Sequence, residues 1–347
     1  DQVTVISAPV PTANAGVDAI TCSGTPVQIG GSITSGYTYL WNPSAGLLGP
    51  TTSNPTATLT NATSIFDTVQ YVVTATWFGC TDTDTIDIVV KPNPVSNAGA
   101  NVALCSGDTA AIGTITTAGY TYQWLPATGV IGATASNPLI TLVGTVAATT
   151  TYTVTTSWNG CVTTDSVDVT VNPLPTVTSS ANPAAICQGQ TATLTANGAL
   201  TYNWELQNNP GISIGTGASL TVSPTVTTTY VVTGSTAAQC IDVNTVTINV
   251  NPLPTVDITA PNDSICNGDT LLLTGNGAVS YQWAVLGGST LGNNVTQQVM
   301  PQATTTYIVT GTSSANCKNT STITVFVNPL PSVAAIAVPD SICQGDS

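Results

Sequence analysis

The cysteines constrain this chain more than any other feature. Nine of them stand at 22, 80, 105, 161, 187, 240, 266, 317 and 343, and the gaps alternate long and short: 58, 25, 56, 26, 53, 26, 51 and 26. An odd number ordinarily leaves a spare thiol. Here the alternation makes the ninth cysteine the opening member of a fifth pair. Aligned on these residues, the sequence repeats itself with a period that drifts through 83, 82, 79 and 77 residues.

Each repeat opens with Cys-x-Gly, at Cys22, Cys105, Cys187, Cys266 and Cys343. A Tyr-x-Trp follows, ending at Trp41, Trp124, Trp204 and Trp283. Next comes a Thr- and Val-rich run carrying Tyr71, Tyr152, Tyr230 or Tyr307, then the second cysteine nine or ten residues later. A valine-rich run closes the unit, followed by KPNP once and NPLP three times. DQVTVISAPVP at 1–11 matches DTIDIVVKPNP at 84–94, and the segment around Cys343 matches that around Cys266. The chain therefore reads as a window on a longer array: 1–8, the last strand of a preceding repeat; repeats at 9–91, 92–173, 174–252 and 253–329; and 330–347, the start of a fifth.

Within a repeat, strand signals dominate and helix signals are absent. In SVDVTV, Val167, Val169 and Val171 share one face; in TVTINV, Val246, Ile248 and Val250 do the same. Thr serves as the outward residue, being both β-branched and polar. After each Cys-x-Gly the inward pair is Val27/Ile29, Ala110/Ile112, Ala192/Leu194 or Leu271/Leu273. About seven short strands per repeat predict an all-β chain of tandem immunoglobulin-like β-sandwiches in a linear array. The tryptophan is expected at the centre of each core, and Gly24, Gly107, Gly189, Gly268 and Gly345 at positive φ. Cores this small are marginal on burial alone, so disulfides Cys22–Cys80, Cys105–Cys161, Cys187–Cys240 and Cys266–Cys317 are expected to close each sandwich, contributing roughly 4 kcal/mol each. Paired cysteines at this density imply an oxidising place, outside the cytoplasm. The Pro-rich linkers fix φ and predict end-to-end stacking with little bending.

Composition excludes several functions. The formal charge is −14, with two lysines (Lys91, Lys318), no arginine and no histidine. So acidic a chain repels phosphate backbones and anionic lipid, which removes nucleic acid and membrane surfaces as partners. No apolar run approaches the roughly 18 residues a spanning helix needs. Without histidine no Ser-His-Asp or Cys-His arrangement exists, so no enzyme and no cofactor are expected. Asp82, Asp84 and Asp87 form the densest carboxylate group and are the candidate calcium ligands. The group thins in later repeats, which favours solvated strand faces over metal. Trp77 and Trp158 alternate in phase with Tyr71 and Tyr152 and read as lids on the core; Phe78 and Phe326 fall out of phase and are candidates for contact between neighbouring repeats.

Cys-x-Gly, Tyr-x-Trp, Thr-Thr-Thr-Tyr-x-Val and Asn-Pro-Leu-Pro together resemble the PKD-like and Ig-like repeats of giant Bacteroidetes surface proteins, many exported by type IX secretion and some acting as gliding-motility adhesins. The resemblance covers essentially the whole chain, but lacks the Trp-Asp-Phe-Gly-Asp-Gly segment of PKD domains proper. It implies an extracellular filament or adhesin stalk whose partners are neighbouring repeats, and also other filament chains or surface glycans. It further implies O-glycosylation at Asp-Ser/Thr sites, here Thr68, Thr85, Thr109, Ser166, Ser264, Thr270 and Ser341. Two functions compete: a stiff disulfide-stabilised stalk, and an array that grips glycans or surfaces directly. Repeats one and two share a long segment after the tryptophan that repeats three and four replace, as binding loops and drifting loops both do.

Overall fold

A computed structural model of the chain describes residue 3, residues 7–334 and residue 344. Ser341, Cys343 and Gly345 lie outside these residues, as does most of the sequence assigned to a preceding strand and a fifth repeat. Among the described residues every regular element is a strand. The chain divides into two compact units, Asp1–Leu174 and Pro175–Ser347, each holding two β-sandwiches.

In the first unit, the first sandwich packs a four-stranded sheet against a three-stranded one. The larger runs Ala19–Cys22, Cys80–Lys91, Asp67–Trp77, Thr38–Asn42; the smaller runs Val27–Gln28, Thr56–Ala57, Leu47–Leu48. The second sandwich repeats this plan with Val102–Cys105, Cys161–Asn172, Ala148–Trp158 and Thr121–Leu125. In the second unit, both sandwiches pair five strands with three. The one added strand is Thr178–Asn182 or Asp257–Thr259, in the smaller sheet, while the strand after the tryptophan, Asn209–Thr216 or Thr290–Gly292, lies in the larger sheet instead of the smaller. The sequence predicts seven strands per repeat, which the first unit has. The second unit has eight because Thr178–Asn182 and Asp257–Thr259 are added ahead of the Cys-x-Gly strand; the segment after its tryptophans folds back on the Trp strand, whereas the longer segments of the first unit cross to the opposite sheet.

One pairing governs everything below. The strand ending in Cys-x-Gly runs parallel to the last strand of its own sandwich, Cys22 opposite Lys91, Cys105 opposite Asn172, Cys187 opposite Asn251 and Cys266 opposite Asn328. The remaining ladders of that sheet are antiparallel.

Each core forms around its tryptophan. Trp41, Trp124, Trp204 and Trp283 are at most 1% exposed, and each indole Nε1 donates to a backbone carbonyl, of Thr52, Ala135, Gly217 and Asn294 respectively. The expected inward residues are the packing partners: Ile29, Tyr71, Val73 and Ile88 in the first core, Leu194, Val232 and Ile248 in the third. Gly24, Gly107, Gly189 and Gly268 have φ between 77° and 94°.

Tyr71 and Tyr152 are buried in their cores, and their hydroxyls donate to the carbonyls of Ala45 (2.6 Å) and Thr128 (2.8 Å). Burial raises the phenol pKa of both, and of Tyr230 and Tyr307, above the ordinary 10.0. A pKa raised on folding means that the unfolded chain releases the proton first. The stabilisation is complete below about pH 10 and is lost as pH rises towards the folded-state values. These four tyrosines are therefore expected to ionise together with cooperative loss of the β-sheet signal above about pH 10. Reversible phenolate absorbance from all of them at the ordinary pH, with the sheet signal intact, would contradict this.

Candidate functional site at the repeat junctions

The parallel pairing decides where cysteines can meet. Cys22 lies opposite the end of the strand Cys80–Lys91, while Cys80 opens that same strand. Eleven residues at about 3.3 Å each separate the two levels by roughly 36 Å, whereas a disulfide requires Cα atoms within about 7 Å. Every repeat is built this way, so the two cysteines of one repeat sit at opposite ends of their sandwich. A β-sandwich of this topology brings its chain in at the end bearing the turn before the last strand, and lets it out at the Cys-x-Gly end. Within each unit, Cys-x-Gly of the first repeat thus abuts the second cysteine of the second.

The disulfides follow that geometry. Cys22 bonds Cys161 with Cα atoms 5.7 Å apart, and Cys187 bonds Cys317 with Cα atoms 5.5 Å apart. Cys105 and Cys240 are disulfide-bonded as well. Cys80 and Cys266 are free thiols. The expected pairs Cys22–Cys80, Cys105–Cys161, Cys187–Cys240 and Cys266–Cys317 are therefore corrected: Cys22–Cys161 and Cys187–Cys317 join consecutive sandwiches of one unit instead of closing a single one.

Around Cys22–Cys161 the junction is completed by noncovalent contacts. Trp158 ends the strand Ala148–Trp158, where its inward phase carries it off the end of the core. Its ring packs against Tyr120 (centroids 5.8 Å apart) and against Phe66 of the first sandwich (5.9 Å). Trp158 is thus a junction residue more than a core lid. Asn159 and Gly160 form the hairpin tip, with φ 50° and 82°, as two-residue hairpin turns require. The Asn159 carbonyl accepts a 2.6 Å hydrogen bond from Lys91 Nζ, at the end of the first sandwich. Sequence reasoning missed both Phe66 and Lys91; Phe66, five residues before Tyr71, carries no periodic signal.

The linker that follows each sandwich is latched to the next one by side chains two and four residues past the second cysteine. Asp82 and Asp84 accept from the N–H groups of Ala13 and Ala15, both 2.8 Å. Thr163 donates to the Pro94 carbonyl (2.8 Å) and Asp165 accepts from Ala98 N–H (2.8 Å). Asp242 accepts from Val177 N–H, and the amides of Asn244 and Asn319 donate to the carbonyls of Val177 and Pro254. Proline-rich linkers lack N–H donors to form a full ladder, and these side chains supply the missing attachment.

This accounts for the candidate calcium ligands differently. Asp82 and Asp84 face the incoming segment, while Asp87, of opposite parity on the strand, accepts from Gln70 Nε2 at 3.0 Å. Among the described residues no group of three metal-ligating side chains is assembled. The two in-phase carboxylates are latches, and their recurrence as Asp165 and Asp242 is the signal that identifies them.

Removing a latch leaves a buried donor unpaired. Ala98 is fully buried, so Asp165→Ala is expected to cost about 1–3 kcal/mol in chemical denaturation. Asp108→Ala, at an exposed turn, serves as the control and is expected to change stability by less than about 0.5 kcal/mol.

Phe78 is 82% exposed at its hairpin tip, its ring tilted against Trp77 with centroids 5.0 Å apart. Phe326 is half-exposed on the strand Lys318–Asn328. The hydroxyl-bearing residues Thr68, Thr85, Thr109, Ser166, Ser264 and Thr270 are all exposed.

Two facing sheets per repeat, repeated in tandem, define the chain as a series of immunoglobulin-like β-sandwiches. Residues 174–252 match the family described as "Ig-like domain CHU_C associated". Among solved structures, the N-terminal eight Ig domains of Down syndrome cell adhesion molecule are similar at 15% identity, over 91% of this chain and 49% of that one, with TM-score 0.40. The D1–D4 ectodomain fragment of ICAM-5 is similar at 10% identity, over 90% and 97%, with TM-score 0.34. The human desmocollin-1 ectodomain is similar at 12% identity, over 94% and 81%, with TM-score 0.23. The chain spans about half the length of the first of these. No curated protein sequence matches it.

Proposed function

We propose that the chain is a segment of a long extracellular repetitive surface protein, a stalk whose work is to hold something at a distance and transmit tension. The observation that carries this is the placement of the disulfides across junctions, from Cys22 to Cys161 and from Cys187 to Cys317. A bond that closes a single domain stabilises its fold. A bond between consecutive domains adds little to either core, but it removes the hinge between them. Latched linkers and the Phe66–Trp158 contact act in the same direction.

Disulfides at this density suit an oxidising, extracellular setting. The match over 174–252 and the repeat motifs support a surface protein of Bacteroidetes type, exported by type IX secretion and serving adhesion or gliding. The exposed Asp-Ser/Thr hydroxyls offer sites for O-glycosylation, which would add bulk to a surface already poor in protease-cleavable basic residues.

Single-particle electron microscopy of the whole chain tests the reading through the angle between the first two sandwiches. A narrow distribution is expected, broadening several-fold in Cys22→Ser/Cys161→Ser. An equally broad distribution in both would overturn it, and so would saturable binding of the oxidised chain to a glycan array, which would make the repeats the adhesive elements.

A further inference from the structure

Among the described residues two cysteines, Cys80 and Cys266, stand outside the disulfides, and they are not equivalent. Cys80 occupies the place held in later sandwiches by Cys161 and Cys317, at the turn before the last strand. Cys266 occupies the place of Cys22 and Cys187, at the Cys-x-Gly turn; Asn267 N–H donates to the Asn328 carbonyl just as Ser23 donates to Lys91 and Gln188 to Asn251. Each free thiol is half of a junction seen complete elsewhere in the molecule.

The surroundings of Cys80 reproduce the receiving side of that junction. Phe78 and Gly79 have φ 46° and 83°, against 50° and 82° at Asn159 and Gly160. Trp77 lies on its own Tyr37 (6.0 Å) as Trp158 lies on Tyr120. Trp158 also carries Phe66 of the preceding sandwich, whereas among the described residues the rings on Trp77 are Tyr37 and Phe78 of its own sandwich. Instead, Trp77 and Phe78 line an apolar hollow of about 350 Å³ with Ser7, Ala8 and Pro9. Phe78, a bulky apolar side chain 82% exposed beside Trp77, forms part of an apolar patch of the kind that partners cover.

We infer that Cys80 and Cys266 are the receiving and donating ends of further inter-repeat disulfides, made with Ig-like repeats of the same polypeptide on either side. The preceding repeat brings the cysteine of its Cys-x-Gly turn to Cys80, and an aromatic residue, placed as Phe66 is, onto Trp77 and Phe78. The following repeat brings the cysteine of its last hairpin to Cys266. Each bond forms by thiol–disulfide exchange: two thiols give up two protons and two electrons, and the disulfide of an oxidising protein or small-molecule partner is reduced to two thiols. The arrangement seen at Cys22–Cys161 and Cys187–Cys317 is then continued into the flanking repeats. This rests on the stalk reading for the existence of flanking repeats, but its failure is separable, as follows.

The test is a disulfide map of the full-length polypeptide as secreted, with thiols blocked by alkylation before digestion without reduction. Cys80 is expected in a peptide linked to a Cys-x-Gly sequence absent from residues 1–347, and Cys266 in one linked to a cysteine that follows a Tyr-bearing strand. Alkylation of either residue in more than half of the molecules would overturn the inference. Linkage of Cys80 to Cys266 of another copy would overturn it too while leaving a stalk in place, and linkage to Cys22 would overturn both. Cys80→Ser provides the second arm. It is expected to keep Cys22–Cys161 and to expose one new alkylatable thiol in the preceding repeat; retention of that repeat's disulfide in the variant would contradict the assignment.

Discussion

Pulled from its ends, the oxidised chain is expected to extend far less than its length allows. The bond between Cys22 and Cys161 closes a loop of 139 residues, and that between Cys187 and Cys317 one of 130. Force passes through the covalent bond, so the residues inside the loop bear no load even when their sandwiches unfold. At about 3.3–3.6 Å of extended chain per residue, the first staple withholds roughly 460–500 Å and the second roughly 430–470 Å. Single-molecule force spectroscopy with and without reductant reads these lengths directly. Staples confined to single repeats, separated by 51 to 58 residues, would withhold less than half as much each, about 170–210 Å. An oxidised chain that lengthens as far as the reduced one would contradict the account outright.

The second large effect is on folding. Trp124 is fully buried, its indole donates to the Ala135 carbonyl at 3.0 Å, and Gly113 lies so close that a methyl group added there would meet the ring and the Ser136 carbonyl. Such a site cannot collapse around a missing side chain. Trp124→Ala is therefore expected to cost about 3–5 kcal/mol. A sandwich of this size has a stability near the low end of the usual 5–15 kcal/mol, so most of it is lost. Calorimetry is expected to show one transition moved down by about 12 °C or more, with the others in place, because the four cores are separate clusters. A transition that does not move would mean that Trp124 is not the centre of its core.

The fold was legible because it is written in period two. Val167, Val169 and Val171 alternate with Asp168 and Thr170, and no helix pattern competes. The tryptophans were legible for the same reason, recurring at a fixed place in each repeat. The cysteine partners were misread because spacing along the chain does not record direction across a sheet. Cys22 and Cys80 look like the two ends of one loop, and only the parallel pairing of Ala19–Cys22 with Cys80–Lys91 places them at opposite ends of the sandwich. The latch role of the carboxylates was not legible: Asp82, Asp84 and Asp87 cluster in sequence, but a strand divides them between two faces, and only the folded linker brings the N–H groups of Ala13 and Ala15 to two of them. Phe66 and Lys91 act only on a neighbouring repeat, and no pattern internal to one repeat could reveal them.

The central claim is that the cysteines staple neighbours together, and a disulfide map of the unreduced chain tests it most directly. The account predicts cross-linked peptides that join Cys22 to Cys161 and Cys187 to Cys317, with none that joins two cysteines of a single repeat. Recovery of Cys22 bonded to Cys80, or of Cys266 bonded to Cys317, would contradict it.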